Sequence, residues 1–124
     1  MVVMRVLSLV WVGTRTTEYT ATVAFFRDVL GLGVHASDTD FAVLDVPDGA
    51  TVEVFGPESR YNQHLTHPVA GFLVTDLESA VEELQAAGAE IVLPVQHGEP
   101  RSWVHFRAPD GFVYELAEDS TRSS

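Results

Sequence analysis

The spacing of apolar positions along the chain changes in an order that occurs twice. Residues 6–12 form a dense, valine-rich run closed by Gly13, the pattern of a buried strand. Over residues 20–30 the period lengthens: Val23, Phe26, Val29 and Leu30 fall on one helical stripe, and Gly31-Leu32-Gly33 can take the positive φ that ends a helix. Strand patterns then recur around Val34, over residues 41–46 and over residues 50–55, with Pro47-Asp48-Gly49 as the turn between the last two. A second round begins with a strand from Val69. Asp76 is a suitable N-cap for a helix carrying Leu77, Ala80, Val81 and Leu84 on its apolar stripe, and Gly88 stops it. Strands starting at Ala89, Trp103 and Phe112 complete the copy, the last two joined by Pro109-Asp110-Gly111.

The pattern predicts an α+β protein built from two tandem βαβββ modules, whose curved mixed sheets surround a cleft with the helices on the outside. The first module is expected over residues 5–56, a polar linker over 57–67, the second module over 68–117 and a solvated tail over 118–124. With 124 residues, one globular domain is the natural size.

Alternate strand residues face opposite ways, so parity divides each strand into a core side and a cleft side. Ala42, Leu44, Val52, Val54, Val104, Phe106, Tyr114 and Leu116 suit the space beneath the helices. The other parity presents Trp11, Phe41, Val69, Trp103, His105 and Arg107, a mixture of rings, an aliphatic and ionisable groups suited to gripping a ligand. It also presents Glu53 and Glu115, which follow the two Pro-Asp-Gly turns at the same spacing. These two glutamates are the candidate catalytic groups; the plain alternative is a structural carboxylate paired with Arg107. His105 reads more readily as a hydrogen-bonded structural histidine than as a catalyst, and stands second to the glutamates as a site residue. His35, His64 and His97 belong to no pattern and are expected at the surface, while Arg15 is expected to cap a turn.

Composition then removes several classes of function. The formal charge is -11, the seven cations are not clustered, and no basic stripe exists for a nucleic acid backbone. The absence of cysteine removes disulfides, thiolate metal sites and cysteine nucleophiles. No apolar run reaches the length of about 20 residues needed to span a bilayer, and residues 1–13 read as a strand rather than a signal peptide. No membrane partner and a cytoplasmic location are expected.

Through "FFRDVLGL", "VTDLESAVEELQAAG" and "RAPDGFVYEL", set in the doubled βαβββ order, the chain resembles the vicinal oxygen chelate superfamily. That group includes glyoxalase I, extradiol dioxygenases and the fosfomycin- and bleomycin-resistance proteins. The resemblance implies a homodimer and four metal-ligand positions, which fall here on Trp11, Glu53, Val69 and Glu115. Neither Trp11 nor Val69 can ligate, so no cofactor is the first expectation. If a divalent metal (Zn, Fe, Mn or Ni) binds, Glu53 and Glu115 need His67 or His105 beside them. Two functions follow from the resemblance. One is a glyoxalase- or bleomycin-resistance-like binder of a small, partly apolar or aromatic molecule; the other is a metal-dependent lyase, isomerase or dioxygenase.

Overall fold

The computed structural model describes residues 4–121 and contains eight strands and two helices. Their order is β1 (Val6–Arg15), α1 (Tyr19–Asp28), β2 (Gly33–Ser37), β3 (Phe41–Asp45), β4 (Thr51–Phe55), β5 (Val69–Val74), α2 (Leu77–Ala86), β6 (Glu90–Gln96), β7 (Arg101–Arg107) and β8 (Val113–Asp119). The protein is therefore α+β, with βαβββ written twice. The chain divides into two compact units, one running from Trp11 to Val69 and the other combining the stretch up to Val10 with that from Ala70 onward.

In the first unit the strand order is β2-β3-β4-β1, with β1 parallel to β4 and the remaining pairs antiparallel. Ala42, Leu44 and Val54 form its buried core, against which Tyr19, Val23 and Phe26 of α1 pack. The second unit repeats the order as β5-β8-β7-β6, with β5 parallel to β8. Its core joins Val74, Leu77, Ala80, Val104 and Leu116, with Val81, Leu84 and Phe106 against it. In both units one parity of the strands lies beneath the helix, as the alternation of apolar positions requires.

The turns explain why Pro-Asp-Gly is repeated. In each, the glycine N–H donates to the carbonyl of the residue before the proline, Gly49 to Val46 at 3.0 Å and Gly111 to Ala108 at 2.9 Å. The aspartate carboxylate then accepts the N–H two residues on, Asp48 from Ala50 and Asp110 from Phe112, both at 2.9 Å. The glycines have φ of 97° and 86°, and a Cβ at either would meet nothing within 4 Å. Backbone conformation alone therefore selects glycine. Gly49→Ala and Gly111→Ala should each cost about 1 kcal/mol in urea unfolding, and by similar amounts, because left-handed strain without a clash is the whole penalty.

Several boundaries differ from the sequence expectation. Helix α1 ends at Asp28, so Val29 and Leu30 lie beyond it, and both are exposed rather than on the inner stripe. Strand β8 continues to Asp119, so Glu118 and Asp119 are sheet residues and not part of a solvated tail; residues 122–124 of that tail lie outside the described residues. The polarity of Glu118 and Asp119 concealed them: Glu118 accepts the Leu77 N–H at the start of α2, and Asp119 is ion-paired. The stretch expected as linker buries Ser59 and Leu65, and the Arg15 guanidinium ties it down by donating to the carbonyls of Pro57, Ser59 and Tyr61. The expected turn-capping role of Arg15 takes this form. No described helix is long and apolar enough to cross a membrane.

Candidate functional site

In the first unit the face opposite α1 carries Trp11 and Gly13 from β1, Glu53 and Phe55 from β4, and Phe41 and Val43 from β3. Register places Glu53 between Gly13 and Val43, and Phe55 beside Phe41. The indole N–H of Trp11 donates to Glu53 Oε1 at 2.8 Å. Glycine two residues along the strand makes this possible: an added Cβ at Gly13 would lie 2.0 Å from Cη2 of the Trp11 ring. The indole therefore folds across its own strand and is buried. Phe41 stacks obliquely on Phe55 with centroids 5.5 Å apart and meets Tyr61 at 5.9 Å. Val69 is fully buried at the start of β5, and His67 is half-buried two residues before it.

In the second unit, parity and register set side by side on the sheet face opposite α2 the pairs Arg101 and Asp119, Trp103 and Ala117, and His105 and Glu115. His105 Nε2 lies 3.0 Å from Glu115 Oε1, and the two residues are 0% and 5% exposed. Burial disfavours the charged form of each. It pushes Glu115 up to about 8, with the Arg101 charge pulling weakly the other way, and pushes His105 down to about 4. A neutral acid beside a neutral imidazole and a carboxylate beside an imidazolium contain the same number of protons. The pair therefore holds one mobile proton at neutral pH wherever along the hydrogen bond it rests. Burial also pushes Asp119 up, but hydrogen bonds from Thr121 and Arg101 outweigh it and hold the carboxyl below the usual range.

Sequence parity assigned these faces and placed both glutamates opposite the helices. It did not distinguish how each is used, which depends on cross-strand register: Glu53 accepts from an indole, while Glu115 shares a proton with an imidazole. Arg107 joins neither. It is exposed, donates to Glu90 at 3.1 Å and to the Gly111 carbonyl at 2.8 Å, and so braces the Pro-Asp-Gly turn. Trp103 is half-buried beside the loop at Gly98, where a Cβ would lie 3.1 Å from its ring. Three contributors were not singled out from sequence: Gly13, Arg101 and Asp119. Strand parity offered a signal for the last two, since Arg101 shares the parity of Trp103, and Asp119 that of Glu115.

Among the described residues no group of three or more His, Cys, Asp or Glu is gathered to hold a metal ion. The donor chemistry agrees with the geometry. One position that the family resemblance assigns to a ligand is an indole, which has only an N–H to offer and directs it at the carboxylate expected to ligate. His105 and Glu115 make two donors where a zinc or iron site normally has three or more from protein.

A family model described as Glyoxalase/Bleomycin resistance protein/Dioxygenase superfamily matches residues 8–116. No curated protein matches the chain. Among solved structures, methylmalonyl-CoA epimerase from Mycobacterium tuberculosis is similar with a TM-score of 0.71 and 20% identity, over 92% of this chain and 89% of that one. The Mn(II)-bound glyoxalase from Novosphingobium aromaticivorans gives 0.76 and 19%, over 98% of this chain but 42% of its own. A glyoxalase/bleomycin resistance protein/dioxygenase superfamily member from Vibrio splendidus 12B01 gives 0.65 and 22%, over 94% and 100%. At these identities the likeness is one of fold.

Proposed function

Because the chain belongs to the Glyoxalase/Bleomycin resistance protein/Dioxygenase superfamily, we propose that it is a small-molecule-binding member that takes a partly apolar or aromatic ligand without a complete metal centre. The Trp11 to Glu53 hydrogen bond carries this reading. It commits to an indole a carboxylate that metal chemistry would need free, and it sets an aromatic wall and an acceptor beside Phe41 and its ring partners. An aromatic ligand with a cationic group suits such a face, since rings and a carboxylate both favour positive charge.

A second reading, an enzyme, rests on a different observation. His105 and Glu115 are a buried proton-sharing pair, and perturbed groups of this kind cluster at sites that move protons. In this reading Glu115 gives and takes the proton while His105 holds it in place, an isomerase-type role in keeping with the likeness to an epimerase. The metal-dependent version, with Zn, Fe, Mn or Ni on Glu53, Glu115 and His67 or His105, does not fit the donor groups found among the described residues.

Both tryptophans lie on the faces opposite the helices, so intrinsic fluorescence reports on them directly. An aromatic amine should quench it saturably, Trp11→Phe should remove most of the quenching, and Glu53→Gln should weaken the amine more than a neutral arene of the same shape. Absence of saturable quenching across such a panel would overturn the binder. So would elemental analysis finding one equivalent of Zn, Fe, Mn or Ni in protein purified without added metal.

A further inference from the structure

The two helices hold equivalent places, and their first residues meet the neighbouring strands in different ways. Tyr19 opens α1, and Gly56 directly follows β4. An added Cβ at Gly56 would lie 3.4 Å from Cβ and Cγ of Tyr19, so the glycine leaves the phenol its place. The ring reaches the turn after β2, where its hydroxyl donates to the Asp38 carbonyl at 2.9 Å. In the second unit Leu77 opens α2, His97 is the first residue after β6, and Glu118 stands as far past Gly111 as Gly56 does past Gly49. A leucine is too short for that span. Glu118 turns instead to the helix end, accepting the Leu77 N–H at 2.7 Å. Between α2, the end of β6 and the turn at His97 lies a hollow of about 440 Å³. Its floor is apolar: Leu77 is buried, and Val81 and Val95 pack half-buried on the core below. Its rim carries the carboxylates of Glu78, Glu82 and Glu118.

We propose that this hollow, on the helix side of the second unit, is a further binding site that takes a small amphipathic cation, an alkyl chain lying on Leu77, Val81 and Val95 with a protonated amine among Glu78, Glu82 and Glu118.

Size and charge select this occupant. The volume falls within the range of about 300–1,000 Å³ typical of small-molecule sites, and holds a chain of several carbons rather than a partner's helix. An anion would meet three carboxylates on a chain that already carries -11. Glu78 and Glu82 are exposed one turn apart on α2, a spacing at which like charges repel, and a cation between them relieves that repulsion. Among the described residues the ion pairs of this unit use Glu90, Glu115 and Asp119, and none of the three rim carboxylates. A hydrated metal ion would leave the apolar floor unused; an amine with an apolar body uses both floor and rim. In the first unit the hollow beside Tyr19 is lined by threonines, alanines and one carboxylate, Glu18, so the acidic rim belongs to the second unit alone. The site is also separate from the His105 and Glu115 pair, which stands on the opposite face of the same sheet.

Hexylamine added to the isotope-labelled full chain should move the amide NMR signals of residues 77–82, 95–97 and 118 saturably, with a dissociation constant of about 1 mM, the range open to so small a ligand. Hexanol, with the same chain and no charge, should bind about tenfold more weakly. E78Q combined with E82Q should weaken hexylamine about fivefold and leave hexanol unchanged. Both side chains are exposed, so the fold should survive, and circular dichroism checks that it does. Quenching of tryptophan by an aromatic amine should be the same in this variant as in the wild type, so the hollow and the Trp11 face are tested separately. Absence of saturable shifts, shifts centred on residues 11, 41 and 53, equal affinity for amine and alcohol, undiminished hexylamine binding by the double variant, or loss of its tryptophan quenching would each overturn the proposal.

Discussion

Raising the pH from 6.5 to 8 should lower the stability of the metal-free protein by about 1 kcal/mol, since each pH unit over which one proton is held by the folded state alone changes stability by about 1.4 kcal/mol and both ends of the interval lie at half-titration of one group. Glu115 is the cause. Its ordinary value of 4.5 is pushed up to about 8 by burial, so over this interval the unfolded chain has released a proton that the folded chain keeps. A carboxyl raised in the folded state stabilises fully at low pH and loses that contribution as pH climbs toward the raised value. His105 has the opposite sign. Its ordinary 6.5 falls to about 4, so between those values the unfolded chain binds a proton that the folded chain refuses. Between pH 4.5 and 6.5 the two slopes cancel, leaving a plateau; above 6.5 the histidine's opposing slope fades over about one pH unit and the glutamate sets the fall. Denaturant unfolding across the range reads this shape. Glu115→Gln should flatten the decline between pH 6.5 and 8, because an amide has no proton to release there. A slope that survives in the variant would assign it to another group.

Gly13→Ala is expected to be the most damaging single-methyl change in the first unit, costing about 2–3 kcal/mol as overpacking of a close-packed site. An alanine Cβ would sit 2.0 Å from Cη2 and 2.2 Å from Cζ2 of Trp11, well inside contact distance for carbon. The ring is 5% exposed, so it is packed on most sides and moves only at a cost to its neighbours. Moving it also breaks the 2.8 Å bond to Glu53. The expected result is a lowered unfolding midpoint together with a red-shifted tryptophan emission. Trp11→Phe in the Gly13→Ala background should recover part of the stability, since the smaller ring removes the clash; recovery in the double variant is the readout that a general backbone effect of alanine would not give. The same substitutions bear on the proposed function, because the indole that fills this place is also the wall offered to a ligand.

The cancellation between His105 and Glu115 also bears on the second functional reading. Burial disfavours the charged form of both groups, so at neutral pH the proton rests on the Glu115 carboxyl with a neutral imidazole beside it, and this keeps a protonated acid available at a pH where a free carboxyl has ionised. Two neighbouring strands supply this only because the β7 to β8 register puts residue 105 directly across from residue 115. In the first unit the matching glutamate faces Val43 on one side and Gly13 on the other, so no imidazole is available and the tryptophan takes its place. The duplicated halves have thus been put to different uses with the same backbone.

The chain's own alternation of apolar and polar residues determined the βαβββ order, the Pro-Asp-Gly turns, the Asp76 cap and the side of each strand on which Glu53 and Glu115 stand. These follow from periods of 2 and 3.6 and from the conformational freedom of glycine, which are local properties. The pairing of Glu115 with His105, of Glu53 with Trp11 and of Asp119 with Arg101 was decided only in the folded sheet. Each is a cross-strand contact between residues remote in sequence, and register is fixed by the packing of the whole sheet rather than by the pattern of any one strand. The outward face of α1 was misread for a related reason: periodicity marks Val29 and Leu30 as apolar and in phase, but where the helix stops, and hence whether they turn inward, depends on how Gly31 closes it over the strands below.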